Sequence, residues 1–477
     1  MDLRQCALNR QLDSADPCAG DAVDMVSAMA RGDLSPVDLM RATLERADVV
    51  QAVINPFTHL FHEDAMSQAH ESARRIEQGR ARPLEGIPLA VKELTAVAGQ
   101  PHTLGSLFLK DVVATVTDPS IAPLIEAGAI PFARTNTPEF GCASVTDNLL
   151  FGETLNPWNT AFSTAGSSGG AAAALATFAA PLAQGTDSAG SLRMPAAACG
   201  VVGLKPSHGV VPSAPPGYLD INGHNGPMGR TVADVRMMFE LMARPDASQL
   251  AGRVPLPATG TDLGGLRIAL ITGMDGLDLD HDVERDLRAA AASFAGEGAE
   301  VHEVRFPWDF GRLFRATQLA FGAVYAPLAR SVIEAGGEVS DLTRAFVESV
   351  SRVTANLDFT VQARTEAAEL HRGIGAILAE ADLILMPTLQ MPAPEAGDHF
   401  IDHGPTVNGR EQDDRWIVAF TVPFNLTSGC PAITLPAGLS RDGIPTAVQL
   451  VASPYRDLDL LHWAAQAEGC LTTRSTQ

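Results

Sequence analysis

Gly166-Ser167-Ser168-Gly169-Gly170 runs into Ala171-Ala172-Ala173-Ala174, and a little further on comes Gly185-Thr186-Asp187-Ser188-Ala189-Gly190-Ser191-Leu192-Arg193-Met194-Pro195. This is the densest stretch of the chain in backbone freedom and hydroxyl chemistry. The alanines read as about two turns of a tightly packed helix. Three readings compete. A Gly/Ser loop at a helix start offers N–H groups to a phosphate, but the lysine of the P-loop pattern is missing and no strand-like segment precedes the loop. Gly166–Gly170 also fits Gly-x-Ser-x-Gly, with Ser168 as the nucleophile of an esterase-like elbow. That reading needs a preceding strand and a late histidine, and residues 156–165 are not strand-like. His371, His399, His403 and His462 have no recognisable setting. The third reading joins the serines to a lysine.

Lys92 is one of three lysines, with Lys110 and Lys205, among 34 basic residues. It ends the apolar run Gly86-Ile87-Pro88-Leu89-Ala90-Val91-Lys92. A desolvated lysine loses its proton and becomes a base, which arginine does not do. The competing reading is a core-edge lysine whose head reaches water.

Outward from these segments, strand and helix signals alternate. Ile87–Val91 reads as a buried strand, Ala122–Gly128 as a helix and Ala129–Arg134 as a strand. Ser35-Pro36 starts a helix, with serine as cap and proline in the first turn. Leu266–Ile271, Glu300–Val304, Leu383–Met386, Ala432–Leu435 and Ala447–Val451 read as strands. Asp21–Arg31, Thr231–Ala243, Asp282–Gly296 and Leu458–Glu468 read as helices. Residues 310–381 read as mostly helical and 392–412 as a polar loop. The alternation predicts an α/β sheet covered on both faces. The Pro/Gly-rich connector at 245–265 is the one tempting domain boundary.

Composition bounds the function. Of 477 residues, 46% are hydrophobic and 19% charged, which marks an ordered globular chain. The formal charge of −22 excludes nucleic-acid and anionic-membrane partners that need a basic patch. Cys6, Cys18, Cys142, Cys199, Cys430 and Cys470 form no Cys-x-x-Cys pair and read as buried thiols of a reducing compartment. The first residues carry no apolar signal core, and the apolar stretch at 171–182 is too short for a membrane span. The expectation is a cytoplasmic protein.

Four pieces together resemble the amidase signature family: Gly86–Glu93, Gly166–Gly170, Gly185–Pro195, and Cys199-Gly200-Val201-Val202-Gly203-Leu204-Lys205-Pro206. Their order and separations fit, and the resemblance extends to Thr135-Asn136-Thr137-Pro138-Glu139, Phe424-Asn425-Leu426-Thr427 and Gly443-Ile444-Pro445. It implies one large α/β domain over 21–477 behind an N-terminal extension at 1–20. The sheet is mixed and twisted with helices on both faces, and residues 310–412 form the substrate-pocket region. By the same resemblance Ser191 is the nucleophile, Ser167 the bridging serine after a cis peptide bond, and Lys92 the base. The run Ser188-Ala189-Gly190-Ser191 supplies an oxyanion hole. Ser168, Asp187 and Arg193 support the loop, the last two as an ion pair, and Lys205 anchors backbone carbonyls. Ala189 stands where the family has a glycine, and Glu93 where it has aspartate.

The activity so implied is hydrolysis of acyl C–N bonds in amides or carbamates, with neither metal nor organic cofactor. His59-x-x-His62 has helical spacing for a metal but lacks a third ligand. The sequence looks most like the nylon-oligomer and urethane-cleaving branches. A small-molecule substrate, no nucleic acid and a monomer or homodimer are expected. The alternatives are a glutaminase subunit of an amidotransferase complex and the Ser168 esterase. Phe321, Tyr325 and Leu328 are candidate pocket walls, with the loop 392–412 contributing.

Overall fold

Alternate residues of a strand point to opposite faces of a sheet, so a strand apolar at every position needs cover on both sides. In Pro88–Lys92, Leu89 and Val91 join one core, while Ala90 joins another on the opposite face. Leu383 and Leu385 likewise join the first core, and Ile384 and Met386 a third. The computed structural model describes residues 16–214, 217, 220–244, 256–355 and 358–475.

The strands are β1 (Phe57–Leu60), β2 (Pro88–Lys92), β3 (Ile130–Thr135), β4 (Leu182–Asp187), β5 (Val202–Lys205), β6 (His224–Gly229), β7 (Arg267–Leu270), β8 (Glu300–Glu303), β9 (Leu383–Pro387), β10 (Thr406–Val407), β11 (Arg410–Glu411), β12 (Ala432–Leu439) and β13 (Pro445–Ala452). Among the described residues, 11 of them form one sheet in the order β1-β3-β2-β4-β6-β5-β12-β13-β9-β7-β8. The sheet is mixed. β2 runs parallel to both β3 and β4, whereas β4–β6, β6–β5, β5–β12, β12–β13 and β13–β9 are antiparallel.

Helices Ala22–Arg31, Val232–Met242, His281–Gly296 and Asp457–Ser475 cover one face. Pro36–Ile54, His62–Glu77 and the alanine helix Gly169–Ala176 cover part of the other. Beside them stand Phe310–Val324, Ala326–Glu334, Asp341–Val353 and Phe359–Glu380. Ser35 caps the second helix by accepting the Val37 N–H at 3.2 Å, and Pro36 occupies its first turn. The chain is a single α/β domain with a large mixed sheet flanked by helices.

Several sequence expectations change. The connector at 245–265 lies partly outside the described residues, as do residues 1–15 of the N-terminal extension. Its later part docks on the C-terminal helix, where the Trp463 indole donates to Thr261 O at 2.8 Å and Asp459 accepts the Thr259 N–H. The polar loop 392–412 holds a hairpin, β10–β11, turned by Asn408 and Gly409, both at positive φ, which is the Asn-Gly turn two-residue hairpins favour. His59 and His62 share no helix: His59 is on β1, and His62 opens a helix and bonds Asp48. No strand runs directly into Ser168, so the strand–turn–helix of an elbow is not formed.

Candidate active site

Because β2 and β4 are parallel neighbours inside the sheet, with Val91 beside Gln184, their C-terminal ends deliver Lys92 and the segment after Asp187 to the same end of the strands. Lys92 is fully buried. Its Nζ lies 2.7 Å from Ser167 Oγ, 2.9 Å from Ser168 Oγ and 2.9 Å from Thr186 Oγ1. Burial pushes its pKa well below the ordinary lysine value, and the charge of Asp187 opposes that only in part. Glu93 turns away from the site. Its carboxylate accepts the Thr103 N–H at 2.8 Å and the Thr58 hydroxyl at 3.0 Å, and pairs with Arg134.

The Gly166–Ser167 peptide bond is cis. Ser168 follows it, caps the alanine helix by position, and is buried. Its hydroxyl donates to Thr186 O at 3.2 Å while receiving Lys92, and its N–H donates to Ser191 O at 3.2 Å. Ser168 thus stitches the two Gly/Ser segments together. Gly185 makes room for it, since a Cβ there would stand 2.7 Å from Ser168 Oγ.

Asp187 and Arg193 form a fully buried ion pair at 2.9 Å. Burial raises the Asp187 pKa, but the charge and hydrogen bonds of Arg193 and the amide of Asn425 outweigh it and hold the carboxyl well below its usual range. Arg193 spends its other donors on Thr421 O, Gln449 Oε1 and Asn425 Oδ1. The turn to Ser191 is therefore clamped from three chain segments. Its positive φ falls on Gly190, at 126°, and not on Ala189, so alanine is accommodated there without left-handed backbone. One expected oxyanion donor is lost: the Gly190 N–H is given to Asp187 Oδ1 at 2.8 Å. The N–H groups of Ser188, Ala189 and Ser191 carry no protein hydrogen bond among the described residues.

Ser167, Ser188, Ala189 and Ser191 open on a cavity of about 320 Å³. Phe321, Tyr325, Phe346, Trp416 and Val418 form its apolar side. Of the three expected wall residues, Phe321 and Tyr325 are there. Leu328 is not: its helix buries Ala326, Ala329 and Val332, which leaves Leu328 45% exposed. The loop 392–412 contributes no lining residue, because it packs on Phe162, Glu153 and Asp278 instead. Residues 140–144, and Ser213, Ala214, Gly217, Asp220 and 223–225, contribute where the sequence reading expected nothing. Tyr325 is more than a wall: its hydroxyl lies 2.7 Å from Ser188 Oγ and bonds the Asp220 carboxylate. His399 pairs with Asp147 and His462 with Asp262, away from the cavity. His224 lines it, and burial together with Lys205 and His208 holds that imidazole's pKa well below its usual range. Lys205, lowered to about 7 by burial and by the charge of Arg193, donates to Pro206 O at 2.9 Å.

Sequence reasoning missed Thr186, Thr421 and Gln449 as parts of the site, and gave Asn425 no role. Thr186 lies within the quoted motif, and its position at the end of a strand parallel to β2 was the available signal. Thr421 and Gln449 are distant in sequence, and only the fold brings them to Arg193.

The family model described as Amidase matches residues 38–461. The chain is 34% identical over 463 residues to the acylamidase of Rhodococcus erythropolis, covering 94% of each chain. It is 32% identical over 478 residues to the 6-aminohexanoate-cyclic-dimer hydrolase of Paenarthrobacter ureafaciens, again covering 94% of each. The crystal structure of a bacterial aryl acylamidase superposes with a TM-score of 0.85 at 26% identity, over 94% of this chain and 96% of that one. On the sheet order, the match along most of its length and these relatives, the chain belongs to the amidase signature family of hydrolases.

Proposed function

We propose that the chain hydrolyses partly apolar amides, and carbamates of similar shape, through Lys92, Ser167 and Ser191. The observation that carries this reading is a buried lysine with a depressed pKa, 2.7 Å from a serine that shares a cavity with a second serine. Neutral Lys92 takes the proton of Ser167 as Ser167 takes that of Ser191. Ser191 Oγ then bonds to the substrate carbonyl carbon. The negative oxygen that results is held by the free N–H groups beside Ser191, chiefly those of Ala189 and Ser191, each worth roughly 3–4 kcal/mol in such sites. Ser167 passes its proton to the leaving nitrogen, Lys92 reprotonates Ser167, and the C–N bond breaks to leave an acyl-Ser191 ester. Water cleaves the ester by the reverse path, and the scheme draws on no metal or organic cofactor.

The hydroxyls of Ser167 and Ser191 are not hydrogen-bonded to each other among the described contacts. A rotation of the Ser191 side chain within the cavity closes the relay, a tightening usual when substrate arrives. Ser168 is buried and fully engaged, which speaks against it as the nucleophile. A panel of aryl amides, lactam-derived oligomers, carbamates and glutamine tests the reading. Turnover of aryl amides or oligomers above glutamine is expected. Glutamine as sole substrate, or none cleaved, contradicts it.

A further inference from the structure

The cavity contains acidic groups with no lysine or arginine partner among the described residues. Asp118 and Asp220 both line it, and no lysine or arginine does among the described residues. The nearby cations are committed elsewhere. Arg193 is consumed by Asp187, Thr421, Gln449 and Asn425. Lys205 lies behind the His224 ring, 3.5 Å from Nε2. Asp220 makes no ion pair among the described residues. One of its oxygens accepts the Asn222 N–H at 3.0 Å and the other the Tyr325 hydroxyl. A carboxylate oxygen accepts two hydrogen bonds, so each retains room for a ligand donor. Asp118 accepts the N–H groups of Ser120 and Ala214 and is likewise unpaired. Tyr325 also touches Ser188 Oγ at 2.7 Å, so Asp220 stands one phenol away from the turn that carries Ser191.

Resting on the amidase reading above, we propose that Asp220, held by Tyr325, is a specificity-determining residue that selects amides bearing a protonated amine a few bonds from the scissile carbonyl and excludes those bearing a carboxylate there. An ammonium group placed at Asp220 gains a charge-assisted hydrogen bond in a partly dry site, whereas an anion meets two carboxylates and no counter-charge. The same lining disfavours the carboxylate of free glutamine.

The test uses two matched substrate sets on the full chain. On the acyl side these are the 4-nitroanilides of β-alanine, butyric acid and succinic acid. On the amine side they are N-acetyl-ethylenediamine, N-acetylpropylamine and N-acetyl-β-alanine. In at least one set kcat/KM is expected to fall from ammonium to methyl to carboxylate, by about tenfold per step for a partly screened charge. Asp220→Asn is expected to cut the ammonium-to-methyl ratio by about tenfold. Equal rates for ammonium and carboxylate members in both sets, or an unchanged ratio in Asp220→Asn, overturns the inference. Calorimetric binding of butylammonium and butyrate to wild-type protein reads the same preference without turnover and without any variant that must fold. Equal or reversed affinity overturns it even where catalysis stands. Absence of turnover with retained ammonium preference overturns only the amidase reading.

Discussion

Lys92 has three hydroxyl oxygens within 2.9 Å and no carboxylate bonded to it. A protonated amine fills that cage with three donated bonds. A neutral amine donates two and turns its lone pair to the third, the arrangement a base needs. Burial favours the neutral form. Because the folded pKa lies below the unfolded one, the unfolded chain holds an extra proton between the two values, and stability rises with pH across that window. Lys92→Met removes both the proposed base and this penalty. It is expected to lower kcat by at least roughly a thousandfold, as loss of a relay member does, while leaving the midpoint of thermal unfolding near pH 7 no lower than wild type. The same shift sets the pH profile: turnover of a neutral amide rises with pH and levels off well below the ordinary lysine range. A profile still rising through that range contradicts the neutral-lysine assignment. The residue was legible in the sequence, because a scarce lysine at the end of an apolar run stands out. The departure at Glu93 was also legible, but its work in tying Thr58, Thr103 and Arg134 together was not, since those partners meet only in the fold.

At the scale of elements, the apolar strands were readable, β2 at the site among them, whereas β4 and β6 beside it were not. Leu383–Pro387 and Pro445–Ala452 are rich in the apolar residues that mark buried strands. β4 and β6 carry Gln184, Gly185, Asn225, Gly226 and Pro227, which read locally as turns. Gly226 is needed because a Cβ there would sit 2.3 Å from Leu204 O. Composition that suits the site thus erases the strand signal, as happens where function overrides local preference. Two predictions belong here. Gly190→Ala places a side chain at φ 126°, with its Cβ 2.2 Å from Thr421 Oγ1. It is expected to cost about 1–3 kcal/mol of stability and to lower kcat more than it changes KM, measured by denaturant unfolding and steady-state kinetics. Arg193→Met leaves Asp187 buried without its partner and is expected to cost about 3–5 kcal/mol, visible as a large drop in the urea midpoint.

Over the whole molecule, the site lies where the C-terminal ends of β2 and β4 meet the helical cover contributed by residues 310–353. The helical character of that cover was readable, and so were Phe321 and Tyr325 as cavity walls, but Phe346 and Trp416 were not, because they are ordinary core-type residues until the cavity is seen. Trp416 closes the apolar side, with ring centroids 4.9 Å from Phe314 and 5.4 Å from Phe346. Trp416→Ala is expected to raise KM for aryl amides by about tenfold while changing kcat less, since a lost apolar contact of one to two kcal/mol weakens ground and transition states alike. A fall in kcat at constant KM would place Trp416 in the chemistry instead. The proposed reaction turns on which serine attacks. Its most direct measurement is labelling of the active protein with a fluorophosphonate, followed by peptide mapping. The prediction is a single adduct on Ser191, lost in Ser191→Ala and strongly slowed in Lys92→Met. An adduct on Ser168, or active protein that takes no label, would contradict it.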